Sequence, residues 1–277
     1  MNQSLKNILY KVQILAISGP TDQKISNVEL DSRNIKKNNL FVALPGINSD
    51  GHNYIEDSIK NGAKATVCLK FPDYLHKGHT YIKVSDVKKA LTIISGNFFD
   101  HPSSKLKLIG ITGTNGKTTI SNLLFQLFNN QNRKAGLIST INIKYSKKVI
   151  PSTHTTPDIN TINYFLYKML EKKIKYCFIE VSSHGISQGR IEGLNFYGAV
   201  FTNLTHDHLD YHKTFKNYRN TKKALFDGLS KSAFSLVNSD DKNALFMQQN
   251  TLSKKFRYGI NNFADFNLKI LECQFDG

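Results

Sequence analysis

Apolar and polar positions along the chain follow two rhythms. The first occupies the N-terminal hundred residues. An apolar run over 40–44 closes on Pro45-Gly46, which predicts a strand and a turn. Residues 54–61 have helical spacing and stop at Gly62. Residues 65–69 and 81–84 read as further strands, and 88–99 as a helix ended by Asp100-His101-Pro102. The polar stretch 100–105 reads as a linker, so the expected domains are 1–100 and 101–277. After the linker, buried-strand segments at 107–112, 135–139, 176–181, 199–203 and 233–237 alternate with helices at 117–129, 159–172 and 215–229. The helix at 117–129 is expected to turn Leu123, Leu124, Leu127 and Phe128 inward, and 266–271 reads as a last strand. Strand–helix alternation predicts a mostly parallel sheet with helices on both faces. The expected class is therefore α/β: a small N-terminal α/β domain followed by a P-loop-type, mostly parallel α/β domain.

Composition narrows the possibilities. The chain has 277 residues, 40% of them apolar and 21% charged, enough for two packed cores and incompatible with global disorder. No run of eighteen apolar residues is present, so no membrane-spanning helix is expected. The first nineteen residues lack a signal-peptide core, and the expected location is cytoplasmic. Cys68, Cys177 and Cys273 are too few and too scattered for a disulfide framework or a zinc site. The net charge is +16. Residues 1–104 carry 13 basic and 9 acidic side chains and the remainder 24 and 12, so the excess lies in the second part. The lysines are dispersed and lack interleaved aromatics, which argues against nucleic acid as a partner. A site for polyanionic small molecules and a plain compositional bias toward Lys, Asn and Ile both remain open.

Three motifs carry chemistry, and all fall after predicted strands. Gly113-Thr-Asn-Gly-Lys-Thr-Thr119 lies between a strand and a helix. Its glycines let backbone approach phosphate, its N–H groups and the helix N-terminus hold an anion, Lys117 reaches terminal phosphates, and the Thr118 hydroxyl suits Mg²⁺. The strict P-loop spacing is not met, because Ile111 occupies the place of its first glycine. Glu180 ends the strand Phe178-Ile-Glu-Val, where open α/β sheets gather ligands. There it reads either as a metal-binding carboxylate or as an ordinary strand-end Glu. In Thr202-Asn-Leu-Thr-His-Asp-His-Leu-Asp210, His206, His208, Asp207 and Asp210 read either as metal or phosphate ligands or as solvent-exposed loop residues.

Together, 112–119, 180–185 and 203–212 resemble the Mur ligases, ATP-dependent amide-forming enzymes of peptidoglycan synthesis. Glu180-Val-Ser-Ser-His-Gly185 followed by Gln188 and Arg190 is similar to the branch that adds the third peptide residue. Leu30-Asp-Ser-Arg33, Leu40-Phe-Val-Ala-Leu44 and Asp50-Gly-His-Asn-Tyr-Ile55 resemble that branch's N-terminal UDP-binding domain. The resemblance runs from about Val28 onward. The family's C-terminal amino-acid-binding domain is expected to be absent, the central ATP-binding domain is also expected to be incomplete, and a separately encoded C-terminal domain becomes a candidate partner.

The resemblance implies transfer of the ATP γ-phosphoryl group to the D-Glu side chain of UDP-N-acetylmuramoyl-L-alanyl-D-glutamate. Attack by an amino acid (meso-diaminopimelate or L-lysine) on the acyl phosphate then makes the amide. It implies ATP contacts from Gly113, Thr114, Asn115, Gly116, Lys117, Thr118 and Thr119. Lys117, Glu180, His208 and Lys222 are implied as catalytic residues, with Mg²⁺ held by Thr118 and Glu180 and a second Mg²⁺ by His208. Lys222 matches a carbamylated lysine, a further metal ligand; from the residues alone, Lys222 and Lys223 read as two exposed helix lysines. Substrate contacts are implied for Leu30, Ser32, Asn48, Ser49, Thr155, Thr156, Ser182, Gln188 and Arg190, although Leu30 also reads as a core leucine. Residues 237–241 resemble the segment near the ATP ribose. Two further readings are a non-catalytic remnant that binds nucleotide or UDP-muramoyl peptide, and a folylpolyglutamate synthetase-like ligase. The latter shares the phosphate loop but lacks the 40–55 pattern.

Overall fold

The computed structural model describes residues 2–46 and 49–271. Its internal contacts divide the chain into two compact units: Met1–Pro102 with Ile159–Tyr167, and Ser103–Asp158 with Lys168–Gly277.

The first unit contains strands β1 (Gln3–Ser4), β2 (Ile14–Ser18), β3 (Lys24–Ile25), β4 (Asn27–Glu29), β5 (Asn39–Val42), β6 (Ala63–Cys68) and β7 (Thr80–Val84). Its helices are α1 (Leu5–Ile8), α2 (Ile55–Lys60), α3 (Val87–Phe98) and the greater part of a helix shared with the second unit (159–167). Among the described residues the main sheet has the order β2-β7-β6-β5-β4, parallel from β4 to β7, with β2 antiparallel on the edge. All four β5 residues are buried, which fits a strand covered on both faces. Ile35, Phe41, Ala43, Ile55, Ala63, Cys68 and Tyr81 form a core cluster. Asp86 caps α3 by accepting from the Lys89 N–H at 3.0 Å.

The second unit contains β8 (Lys107–Thr112), β9 (Ala135–Ile138), β10 (Asn142–Tyr145), β11 (Lys148–Pro151), β12 (Tyr176–Glu180), β13 (Phe196–Phe201), β14 (Phe234–Asn238), β15 (Lys254–Gly259) and β16 (Phe266–Asn267). Its helices are α4 (Lys117–Asn130), the C-terminal end of α5 (Ile159–Glu171) from Lys168, α6 (Ser183–Ser187), α7 (Leu209–His212), α8 (Phe215–Asp227) and α9 (Ala244–Met247). Among the described residues one nine-stranded sheet has the order β11-β10-β9-β12-β8-β13-β14-β15-β16. Strands β9 to β16 in that order are parallel, and β10 and β11 add an antiparallel hairpin at the edge. Parallel strands bring their C-terminal ends to one edge, so the segments after Thr112, Ile138, Glu180, Phe201 and Asn238 share it.

Three local expectations change. The inner face of α4 is built from Ile120, Leu124, Phe125 and Phe128, whereas Leu123 and Leu127 are 58% and 49% exposed. These four lie on one side of the helix, and Leu127 and Leu123 sit about 85° and about 125° from its centre. The expected strand over 266–271 shrinks to β16, with Leu268, Ile270 and Leu271 exposed. The β10–β11 hairpin was hidden by its charged, half-exposed strands. Among the described residues no helix is long and apolar enough to cross a membrane.

Gly198 fixes how β13 meets β14: a Cβ there would lie 2.2 Å from the Phe234 ring. Gly198→Ala is expected to cost about 1–3 kcal/mol of stability by overpacking, measured by urea unfolding. Unchanged stability would contradict this register.

Candidate nucleotide and metal site

The loop after β8 is tied down by the strand beside it. The Thr114 N–H donates to the Asn203 carbonyl at 2.8 Å and the Asn115 N–H to Asn203 Oδ1 at 3.0 Å. Thr202 Oγ1 returns a bond of 2.6 Å to the Asn115 carbonyl. Only glycine fits at 113, where φ is +153° and a Cβ would fall 1.9 Å from Thr202 Oγ1. Gly116, left-handed at φ +83°, turns the chain into α4. The N–H groups of Lys117, Thr118 and Thr119 open α4 and have no acceptor within the helix, so they face outward with the positive end of its dipole. This is an anion cradle.

Two lysines converge on its first carbonyl. Lys117 Nζ donates to the Gly113 and Thr114 carbonyls at 3.1 and 2.7 Å, and Lys222 Nζ donates to the same Gly113 oxygen at 2.8 Å. The reading of Lys222 and Lys223 as exposed lysines is corrected: they are 1% and 5% exposed. Their helix is amphipathic, and residues 218, 222, 225 and 226 share its buried side. Lys223 pairs with Asp227 at 2.5 Å, leaving Lys222 to the loop. Burial, reinforced by the neighbouring Lys117 charge and opposed by Asp207, pushes the Lys222 amine down to about 7. Burial also lowers Lys117, with Glu180 and Asp207 acting against the shift.

Glu180 is fully buried at the end of β12. Its Oε2 accepts from Thr118 Oγ1 at 2.9 Å and Thr140 Oγ1 at 3.0 Å, and its Oε1 accepts from the Thr140 N–H at 3.0 Å. Oε1 therefore keeps a lone pair for a cation. The Thr118 hydroxyl and the Glu180 carboxylate form an all-oxygen donor set of the kind Mg²⁺ takes, so these residues fit that ion. Among the described residues no group of three or more His, Cys, Asp or Glu side chains is placed to hold a metal. The Thr118–Glu180 pair leaves coordination positions open for phosphate oxygens.

His208 stands nearby in a left-handed conformation at φ +51°, exposed, with Nε2 at 3.4 Å from Asp207 Oδ2. Its ring lies edge-on to His184 and Tyr218 at 4.9 and 6.1 Å between centroids. The Tyr218 hydroxyl is 3.1 Å from Thr114 Oγ1, so the His208 loop and the phosphate loop share a neighbour. His206 packs instead against Phe215. Burial and neighbouring positive charge lower the pKa values of His184 and His212.

A second group of candidates adjoins Glu180. Thr156 Oγ1 donates to the Glu180 carbonyl at 2.9 Å and accepts from the Ser182 N–H at 2.9 Å; it lies 3.1 Å from Ser182 Oγ. Ser182 caps α6 through the Gly185 N–H. Arg190 Nη1 donates to the Thr156 carbonyl at 2.7 Å. Thr155 Oγ1 is 3.1 Å from Thr140 Oγ1, and Gln188 follows α6 half-buried.

In the first unit, Leu30, Ser32 and Ser49 line a single cavity of about 480 Å³ with Asp31, Arg33 and Tyr54. Leu30 is half-buried in that wall, not sealed in the core. Arg33 grips Asp31 bidentately, and Ser49 Oγ meets the Tyr54 hydroxyl at 2.8 Å. Asn48 lies outside the described residues.

Sequence reasoning did not single out Thr140 or the bracing role of Asn203. Thr140 follows a predicted strand at the ligand-binding edge, which is the signal that could have found it. Asp240 and Asp241, expected near a ribose, are occupied by backbone: Asp240 accepts from Ile260 and Asn262, and Asp241 from Leu204 and Asn243.

Residues 111–277 match the Mur ligase middle domain, and residues 24–99 match the Mur ligase family catalytic domain. The chain is 47% identical over 273 residues to a UDP-N-acetylmuramoyl-L-alanyl-D-glutamate–2,6-diaminopimelate ligase of Phocaeicola vulgatus. It is 48% identical over 273 residues to the ligase of the same name from Bacteroides fragilis. In both cases the match covers 99% of this chain and 56% of the relative, so the chain spans little more than half the length of these curated relatives. A solved structure of a ligase of that name superposes with a TM-score of 0.78 at 27% identity, over 96% of this chain and 54% of the other. MurF from Acinetobacter baumannii shares the fold, with a TM-score of 0.73 at 17% identity over 96% of this chain and 55% of the other.

The Lys222 shift has a measurable sign. Between pH about 7 and about 10.5 the unfolded chain holds a proton on Lys222 that the folded chain has released, so stability rises with pH across that window. In carbonate-free buffer, Lys222→Met is expected to flatten the rise, followed by urea unfolding at stepped pH. An equally steep rise in the variant would assign the effect to another group.

Proposed function

The chain belongs to the Mur ligase family, and from that premise we propose that it carries the nucleotide- and acceptor-binding parts of an ATP-dependent ligase of peptidoglycan synthesis. Its reaction joins 2,6-diaminopimelate to UDP-N-acetylmuramoyl-L-alanyl-D-glutamate in the cytoplasm. The observation that carries this reading is the single hydrogen-bonded cluster of the phosphate loop, Lys117, Lys222, Thr118 and Glu180, in a chain nearly half identical to ligases bearing that name.

The chemical difficulty is charge. An anionic carboxylate must attack an anionic phosphate, so positioning and electrostatic stabilisation supply most of the rate. The loop N–H groups and Lys117 take the β- and γ-phosphates of ATP. Thr118 and Glu180 would hold Mg²⁺, which when bound offsets phosphate charge. The D-Glu carboxylate forms a bond to the γ-phosphorus as the bond to the ADP oxygen breaks, giving an acyl phosphate. The incoming amine then attacks the acyl carbon, and phosphate leaves. Thr155, Thr156, Ser182, Gln188 and Arg190 are assigned to the muramoyl-peptide. Leu30, Ser32 and Ser49, with Asn48, are assigned to the uridine nucleotide.

Lys222 is assigned as the carbamylated lysine. A neutral amine adds CO₂, forming an N–C bond and releasing a proton, and a buried amine titrating near neutrality supplies that form. The product replaces a like charge beside Lys117 with an opposite one. With His208, it would then offer ligands for a second Mg²⁺.

The test is ATP-, Mg²⁺- and diaminopimelate-dependent phosphate release with UDP-N-acetylmuramoyl-L-alanyl-D-glutamate, with this chain alone and with a relative's C-terminal domain supplied. Lys117→Ala is expected to lower the rate by roughly 10²–10³-fold. No substrate-dependent release in either arm, with no binding of ATP, would overturn the reading. Carbamylation is checked by ¹³C NMR in labelled bicarbonate: a carbamate signal in the unaltered chain and none in Lys222→Ala. A signal surviving the substitution would remove the assignment.

A further inference from the structure

Thr140 stands where two parts of the site meet. It follows β9, is itself exposed, and reaches the fully buried Glu180. Its backbone N–H fixes one carboxylate oxygen at 3.0 Å and its hydroxyl fixes the other at 3.0 Å. The same hydroxyl lies 3.1 Å from Thr155 Oγ1. A hydroxyl has one proton, and an ionised carboxylate can only accept. The Thr140 hydroxyl is the donor in both contacts, so Glu180 and Thr155 compete for its one proton.

We propose that Thr140 is a positioning residue that orients the Glu180 carboxylate for the metal and joins it to Thr155, so that metal and acceptor binding are energetically coupled. The inference rests on the assignments of Glu180 and Thr155 made above. Two contacts from one rigid strand end hold both carboxylate oxygens, which leaves Glu180 little rotational freedom once Thr118 turns toward a metal. An acceptor group that occupies Thr155 Oγ1 releases the Thr140 proton to Glu180, and the change is felt one bond from the carboxylate. Linkage requires the effect to be reciprocal: bound metal must alter acceptor affinity by the same factor.

Thr140→Val keeps the backbone N–H and the β-branch but removes the hydroxyl; Thr140→Ser restores it. The full chain is titrated with ADP at stepped Mg²⁺ concentrations by calorimetry, with and without UDP-N-acetylmuramoyl-L-alanyl-D-glutamate. Thr140→Val is expected to weaken the apparent Mg²⁺ affinity roughly threefold to tenfold, the scale of one lost hydrogen bond, while ADP affinity without Mg²⁺ is unchanged. It is also expected to abolish the factor by which the acceptor alters Mg²⁺ affinity, and Thr140→Ser is expected to recover both. Thr155→Val is expected to lose the acceptor-dependent factor alone, and it serves if Thr140→Val fails to fold. Unchanged Mg²⁺ affinity and coupling in Thr140→Val would overturn the proposal. Equal weakening of ADP with and without Mg²⁺ would also overturn it, since that is general damage to the loop. If Thr140→Val does not fold, unchanged coupling in Thr155→Val overturns the proposal. If the unaltered chain binds no Mg²⁺–ADP, the functional reading fails and this inference falls with it.

Discussion

Two ammonium groups share one carbonyl oxygen, that of Gly113, and the rest of the site is arranged around the consequence. Two unit charges 4 Å apart repel by about 4 kcal/mol at an effective dielectric of 20, and burial removes the water that would relieve them. The protein answers unevenly. Lys117 is moderated by Glu180 and Asp207, whereas the deeper Lys222 gives up its proton near neutrality. Either added anion, a phosphate in the loop or a carboxylate group on Lys222, resolves the same conflict. Lys117 and Lys222 are thus tied to each other through one backbone atom.

This conflict is tolerable because the surrounding scaffold is over-determined. β8 lies between β12 and β13, and each neighbour sends a residue to the same edge: Glu180 from one, Thr202 and Asn203 from the other. Thr140 arrives from β9, one strand further out. Parallel pairing alone puts these ends together, so no long loop has to be ordered to assemble the site. The price of ligand-ready polar groups is met locally, since Glu180 holds three hydrogen bonds even without a cation.

The parts of this arrangement readable from sequence were those with a strong local signature. Buried strands such as 107–112 announce themselves by uninterrupted apolar residues, and a glycine-bearing turn into a helix marks an anion cradle. The half-exposed hairpin over 142–151 carries no such pattern, since its charged positions alternate weakly. On α4 several leucines compete for one face, and only packing decides that Ile120 and Phe125 turn inward while Leu123 and Leu127 do not. Burial of Lys222 was also invisible locally, because a lysine-rich helix segment reads as solvated until a carbonyl from 109 residues away is seen to receive it.

The position of Ile111 shows how the loop departs from the common phosphate-binding pattern. Ile111 is wholly buried and aligned with Glu180 and Val200 on the flanking strands, so it is a core residue of β8 and could not become glycine without leaving a cavity. The turn therefore begins two residues later, at Gly113, and is too short to shape itself through its own glycines. Asn203 supplies what is missing: its carbonyl and side-chain oxygens take the Thr114 and Asn115 N–H groups, and Thr202 closes the ring onto the Asn115 carbonyl. The cradle's geometry is borrowed from the next strand. Thr202 and Asn203 thus shape the loop through its backbone alone.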